Sequence, residues 1–102
     1  MDFSGTYAVV SSPDMYFAAG GRRRITLRQE GKYIKGHFDF DAQYGEINGN
    51  VHSDFIEFDF HGNDEMEEAF GEGEAAFEGD TLVFVLRYYR GDEFTFHCAQ
   101  SG

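Results

Sequence analysis

Apolar residues recur at every second position through most of this chain, in short runs broken by glycine, asparagine and aspartate, and the 3.6-residue spacing of amphipathic helices is nearly absent. Such a rhythm sends alternate side chains to opposite faces of a β-strand. Arg22–Gln29 places Ile25 and Leu27 on one face and Arg24, Thr26 and Arg28 on the other. Tyr33–Phe40 sets Ile34, Gly36, Phe38 and Phe40 against Tyr33, Lys35, His37 and Asp39. The same alternation runs through Gly45–Val51, Asp54–His61, Glu68–Glu78, Thr81–Tyr89 and Glu93–Cys98, and Phe3–Val10 supplies a first strand.

The connections contain Glu30-Gly31, DAQY, HS, GNDEME, Gly79-Asp80 and RGD, each short enough to join only antiparallel neighbours. A two-residue turn at Gly79-Asp80 pairs Phe77 with Leu82, Ala75 with Phe84 and Gly73 with Leu86, and sets Glu72 against Arg87 on the other face. Across Arg90-Gly91-Asp92 a three-residue loop with Gly91 left-handed keeps Leu86 and Tyr88 in phase with Phe94 and Phe96. Across DAQY the same bookkeeping pairs Phe38 with Ile47, Gly36 with Gly49 and Ile34 with Val51. One apolar face thus runs through all the strands, and a single sheet buries such a face by curling onto itself, which also removes its edges. The expected fold is all-β: an eight-stranded antiparallel up-and-down barrel in one domain spanning residues 1–102.

The one long connection, SSPDMYFAAGG from Ser11 to Gly21, carries helix signals. Ser12 suits a cap, Pro13 the first helical position and Gly20 a C-terminal stop. A short helix between strands 1 and 2 is therefore expected, with Met15, Tyr16 and Phe17 closing one end of the barrel.

This pattern resembles the calycin type of barrel, the group of avidins, lipocalins and fatty-acid-binding proteins. The resemblance is carried by Gly5-Thr6-Tyr7 before a longer first connection and by the units GKYIKGHFDF and GEINGNVHSDFIEF. It is closest to avidins, whose G-x-W first strand leads to a strand ending G-x-Y, here Gly36-His37-Phe38. The resemblance implies an up-and-down barrel with a lumen able to hold a small ligand. Avidin-like proteins wall that ligand with tryptophans; Tyr7 stands at the first such position, and the chain has no tryptophan, so biotin is not expected.

The twelve phenylalanines and six tyrosines supply enough apolar area for a folded core. Big rings opposite the inward glycines at 36, 49, 71 and 73 suit a packed interior. The alternative is a carrier whose lumen holds a small apolar or aromatic ligand among Tyr7, Tyr16, Phe17, Phe38, Phe58, Phe84 and Tyr88. Few inward polar groups exist to orient a guest: the Tyr7 and Tyr88 hydroxyls and Gln29. No acid–base pair, activated nucleophile or ligand cluster is spelled out, so no catalytic residue, metal or cofactor is expected. Cys98 reads as a small buried hydrophobe.

The formal charge is −11, and Gly36–Leu86 contains no lysine or arginine. Nucleic acid is excluded as an expected partner, since phosphate binding needs the opposite field. Glu57 and Asp59 lie near Glu72 and Glu74, and Asp59 near Glu46, on an acidic outer wall that serves solubility or docks a basic protein. Val83 and Val85 are outward yet apolar, with Ala76 beside Val83 and Phe70 beside Tyr89. A homodimer through Phe70, Ala76, Val83, Val85, Arg87 and Tyr89 is the expected interaction. No membrane segment or signal peptide is apparent, and one unpaired cysteine fits a cytoplasmic protein. The expected role is a non-enzymatic binding or interaction module.

Overall fold

The computed structural model describes residues 2–13, 23–40 and 43–101. Its eight strands are β1 (Gly5–Ser11), β2 (Arg23–Glu30), β3 (Tyr33–Phe40), β4 (Gln43–Val51), β5 (Phe55–Asp64), β6 (Glu67–Glu78), β7 (Thr81–Tyr88) and β8 (Glu93–Gln100). Each pairs antiparallel with its sequence neighbours, and β8 returns to β1 to close the barrel. The alternation of apolar and polar residues therefore becomes an inside and an outside.

The two-residue turns at Gly31-Lys32 and Gly79-Asp80 place glycine first, with φ of 62° and 61°, the requirement of a type II′ hairpin turn. The first of them lies one residue later than Glu30-Gly31. Register across Gly79-Asp80 is the expected one, with Phe77 opposite Leu82 and Glu72 opposite Arg87. Between β7 and β8, Tyr88 N–H donates to the Asp92 carbonyl around the three-residue loop Tyr89-Arg90-Gly91, one residue earlier than Arg90-Gly91-Asp92, so Leu86 faces Phe94 and Phe84 faces Phe96; Gly91 has φ 103°. Between β5 and β6 the turn is Glu65-Met66, and Glu65 adopts φ 57° without being glycine.

Two expectations are corrected. Across residues 41–42, which lie outside the described residues, Phe40 pairs with Gln43, so Phe38 faces Gly45, Gly36 faces Ile47 and Ile34 faces Gly49. The phase survives and the register moves by two residues, and the packing shows why: a Cβ on Gly45 would sit 2.3 Å from the Phe38 ring. The short helix is the second correction. No helix occurs among the described residues, and the Ser12 hydroxyl, expected to cap one, donates to the Thr95 carbonyl on β8. That bond carries the β1–β8 seam past Ser11. Residues 14–22, with Tyr16 and Phe17, lie outside the described residues.

Rings fill the barrel. Phe38 packs against Phe40, Phe60 and Phe84 at centroid distances of 5.0, 5.5 and 6.4 Å, Phe58 stacks on Phe84 at 5.1 Å, and Phe40 meets Phe96 at 4.7 Å. Phe58 lies between Gly49 and Gly73 of the flanking strands. A Cβ at Gly49 would come within 1.9 Å of the Glu57 carbonyl oxygen, and one at Gly73 within 2.2 Å of that of Val85. Only glycine fits where the wall bends this tightly around a large ring. Phe3 also enters the core, fully buried and stacked on Phe77 at 5.4 Å, its N–H bonded to Gln29 Oε1 at 2.9 Å.

Candidate functional site

Tyr7, Phe38, Phe58, Phe84 and Tyr88 all lie inside, as expected for a lumen set, but they form one continuous packed cluster. Both inward hydroxyls are committed within the chain: Tyr7 donates to the Phe3 carbonyl at 2.8 Å and Tyr88 to Gln43 Oε1 at 2.7 Å. Gln29, the third inward polar candidate, accepts from Phe3 N–H and donates to the Gly31 carbonyl. No buried side-chain polar atom among the described residues lacks a partner. Burial raises the Tyr7 and Tyr88 hydroxyls above the ordinary tyrosine value, and it pushes the Cys98 thiol up to about 12. The interior is thus neutral and internally satisfied at physiological pH.

The outer wall differs. Glu57 faces Glu74 and Asp59 faces Glu72 across β5 and β6. Asp59 lies opposite Asn48 and Glu46 opposite His61, so Glu46 is not a direct neighbour of Asp59. Two of the four acids have a basic side chain beside them. His52 Nε2 lies 2.6 Å from Glu57 Oε1 with its ring stacked on Phe55 at 4.5 Å, and Arg87 pairs with Glu74 and, at 3.6 Å, with Glu93. The Arg87 guanidinium thus goes to Glu74, diagonal to its register partner Glu72, because side chains on twisted strands reach along the row. Glu57 of that pair faces Asn50 and Glu74 across the strands. Among the described residues no three His, Cys, Asp or Glu side chains are grouped to hold a metal ion.

The six expected interface residues separate into two clusters along β6 and β7. At one end Ala76 faces Val83, and Phe55 of β5 extends the row on the far side of Ala76, with Val85 one row along. Val83 and Val85 are half-buried by these neighbours. At the other end Phe70 and Tyr89 stack at 5.0 Å and 27°, and Tyr89 N–H donates to the Phe70 carbonyl at 2.9 Å. Phe70 is 47% exposed and Tyr89 79%. Arg87 stands between the clusters, which are about 20 Å apart at the strand rise of ~3.3 Å per residue.

Phe3, Gln43 and Phe55 were not singled out by sequence reasoning. The alternation could have assigned Phe55 outward, next to Ala76, whereas the Gln43–Tyr88 bond spans the barrel and leaves no local trace. Neither a protein-family model nor any curated protein matches this chain. What the structure establishes is a closed eight-stranded antiparallel barrel, an architecture compatible with a calycin-like fold and with a binding module.

Proposed function

We propose that this protein is a non-enzymatic, calycin-like interaction module that works through its outer wall rather than its lumen, and that it forms a homodimer through the Ala76, Val83 and Val85 end of β6 and β7. One observation carries the proposal: an apolar row of Phe55, Ala76 and Val83 crosses three adjacent strands on the outside, with Glu57, Glu74 and Val85 in the row on one side and Glu78 and Thr81 on the other. A two-fold contact lays such a patch on itself. Arg87, with Glu74 and Glu93, stands at its rim. Because the barrel is closed, association is face to face and not by strand addition. A cytoplasmic setting suits the single buried thiol, and no helix among the described residues is long and apolar enough to cross a membrane.

Native mass spectrometry tests this directly. The parent protein is expected at twice the chain mass and Val85→Glu at the chain mass; a parent that is monomeric at tens of micromolar removes the dimer. A carrier of a small apolar or aromatic ligand is the rival function. It would have to displace Phe38, Phe58 and Phe84 from one another, and a melting rise with a member of an apolar compound panel would favour it.

A further inference from the structure

Two large rings stand on the outside of this barrel with a fixed geometry. The backbone bond between Tyr89 and Phe70 anchors the loop to β6, and the stacked pair forms a ridge with a depression on each side. On one side the depression is lined by Asp59, Glu72, Arg87, Phe60 and Tyr88; on the other by Glu68, Ala69 and Arg90. The ridge adds nothing to the buried core, since both rings are open to water. Exposed aromatics held in one orientation present a ready contact surface whose ordering cost is already met by the fold.

The charge around the ridge selects what it contacts. Both arginines that line these depressions are already paired with other acids: Arg87, the register partner of Glu72, with Glu74 and Glu93, and Arg90 with Glu67 at 3.2 Å and Asp64 at 3.7 Å. Asp59 and Glu72 face each other directly and make no ion pair among the described residues, so a like-charge pair remains beside the rings. We propose that the Phe70–Tyr89 ridge, with Asp59 and Glu72, is a docking site for an arginine or lysine side chain of a basic partner polypeptide. The cation lies over a ring face while the two carboxylates receive its N–H groups, and a stem of methylenes covers the apolar rim. The local charge selects such a partner, since the facing Asp59 and Glu72 carboxylates attract a cation and repel the same acidic pair of a second copy. The site is distinct from the Val83 end, so it stands or falls independently of dimerisation.

The test is an NMR titration of the full chain with a short peptide of alternating arginine and glycine, beside the same peptide carrying neutral citrulline. Amide shifts are expected at Asp59, Phe70, Glu72, Tyr89 and Arg90 with the arginine peptide, and to be at least tenfold weaker in affinity with citrulline. Tyr89→Ala and, separately, Glu72→Gln should each weaken binding about three- to tenfold while the melting temperature stays within a few degrees. Shifts spread evenly over Glu57, Glu74 and Glu46 and indifferent to Tyr89→Ala would show unspecific attraction and overturn the site. Absence of shifts at low salt would overturn it too, as would a change of native mass in Tyr89→Ala, which would assign the ridge to a second copy.

Discussion

The inner and outer faces of β5, β6 and β7 share one backbone and obey different rules. Inside, Phe58 and Phe84 stack, Phe60 meets Tyr88 edge to face at 5.1 Å, and each hydroxyl has its acceptor. Outside, carboxylates face carboxylates and two rings lie open to water. Packing and hydrogen bonding tie the inner residues together, whereas Asp59 and Glu72 set like charges opposite each other, an arrangement that works against stability. The difference teaches that the inner face answers to packing, whereas the outer face keeps residues that packing does not require.

The largest effect should come from hollowing the inner face. Phe84 is fully buried against Phe38 and Phe58, so Phe84→Ala should remove about 3–5 kcal/mol in urea unfolding. Its outward neighbour Val85→Ala should change stability by less than about 1 kcal/mol in the monomer. Similar values for both would erase the contrast. Gly49→Ala should follow, at about 1–3 kcal/mol, because its Cβ meets backbone rather than a movable side chain; a neutral result in the same assay would show that the wall yields to an added methyl group.

The pH response separates the faces further. The folded protein holds the Cys98 proton up to about 12, against 9.0 for a free thiol, and it holds the Tyr7 and Tyr88 protons above the ordinary tyrosine range. An unfolded chain releases those protons first, so their contribution is complete below about pH 9 and is lost as pH rises toward 12. Melting temperature should therefore fall across that window, and Cys98→Ala should flatten part of the slope even though it lowers the plateau. A slope unchanged by that substitution would place the alkaline sensitivity elsewhere. The smallest effect belongs to the wall: Glu72→Gln relieves the pair with Asp59 and should stabilise by a few tenths up to about 1 kcal/mol at low salt. That gain should shrink as salt is added, and a loss of stability would mean that the carboxylate has a structural partner.

Much of this fold was legible because alternation fixes parity. The inward assignment of Ile25, Phe38, Phe58, Phe84 and Phe96 needs only a count by two. Register needs more. Gly79-Asp80 permits one short turn, so its pairs could be read off, while DAQY admits turns differing by two residues with the same parity, and the choice falls to the fit of Phe38 over Gly45. The helix signals in Ser12 and Pro13 are local, and they were outweighed at Ser12 by a bond to Thr95, far along the chain. On the wall, the Phe70–Tyr89 contact and the Ala76–Val83 pair followed from register, but their separation by the Arg87–Glu74 pair did not, since a diagonal ion pair depends on strand twist and rotamer.

The seam between β1 and β8 differs from the other joints of the barrel. The other seven joints unite consecutive strands, six of them through short connections, while this one unites the two ends of the strand order, with a register shift between Val9 and Ser11 and a closing bond from Ser101 N–H to the Thr6 carbonyl. During synthesis the first strand leaves the ribosome long before its second neighbour exists. Until β8 pairs with β1, the sheet keeps two open edges of unpaired backbone groups, which closure of the barrel removes.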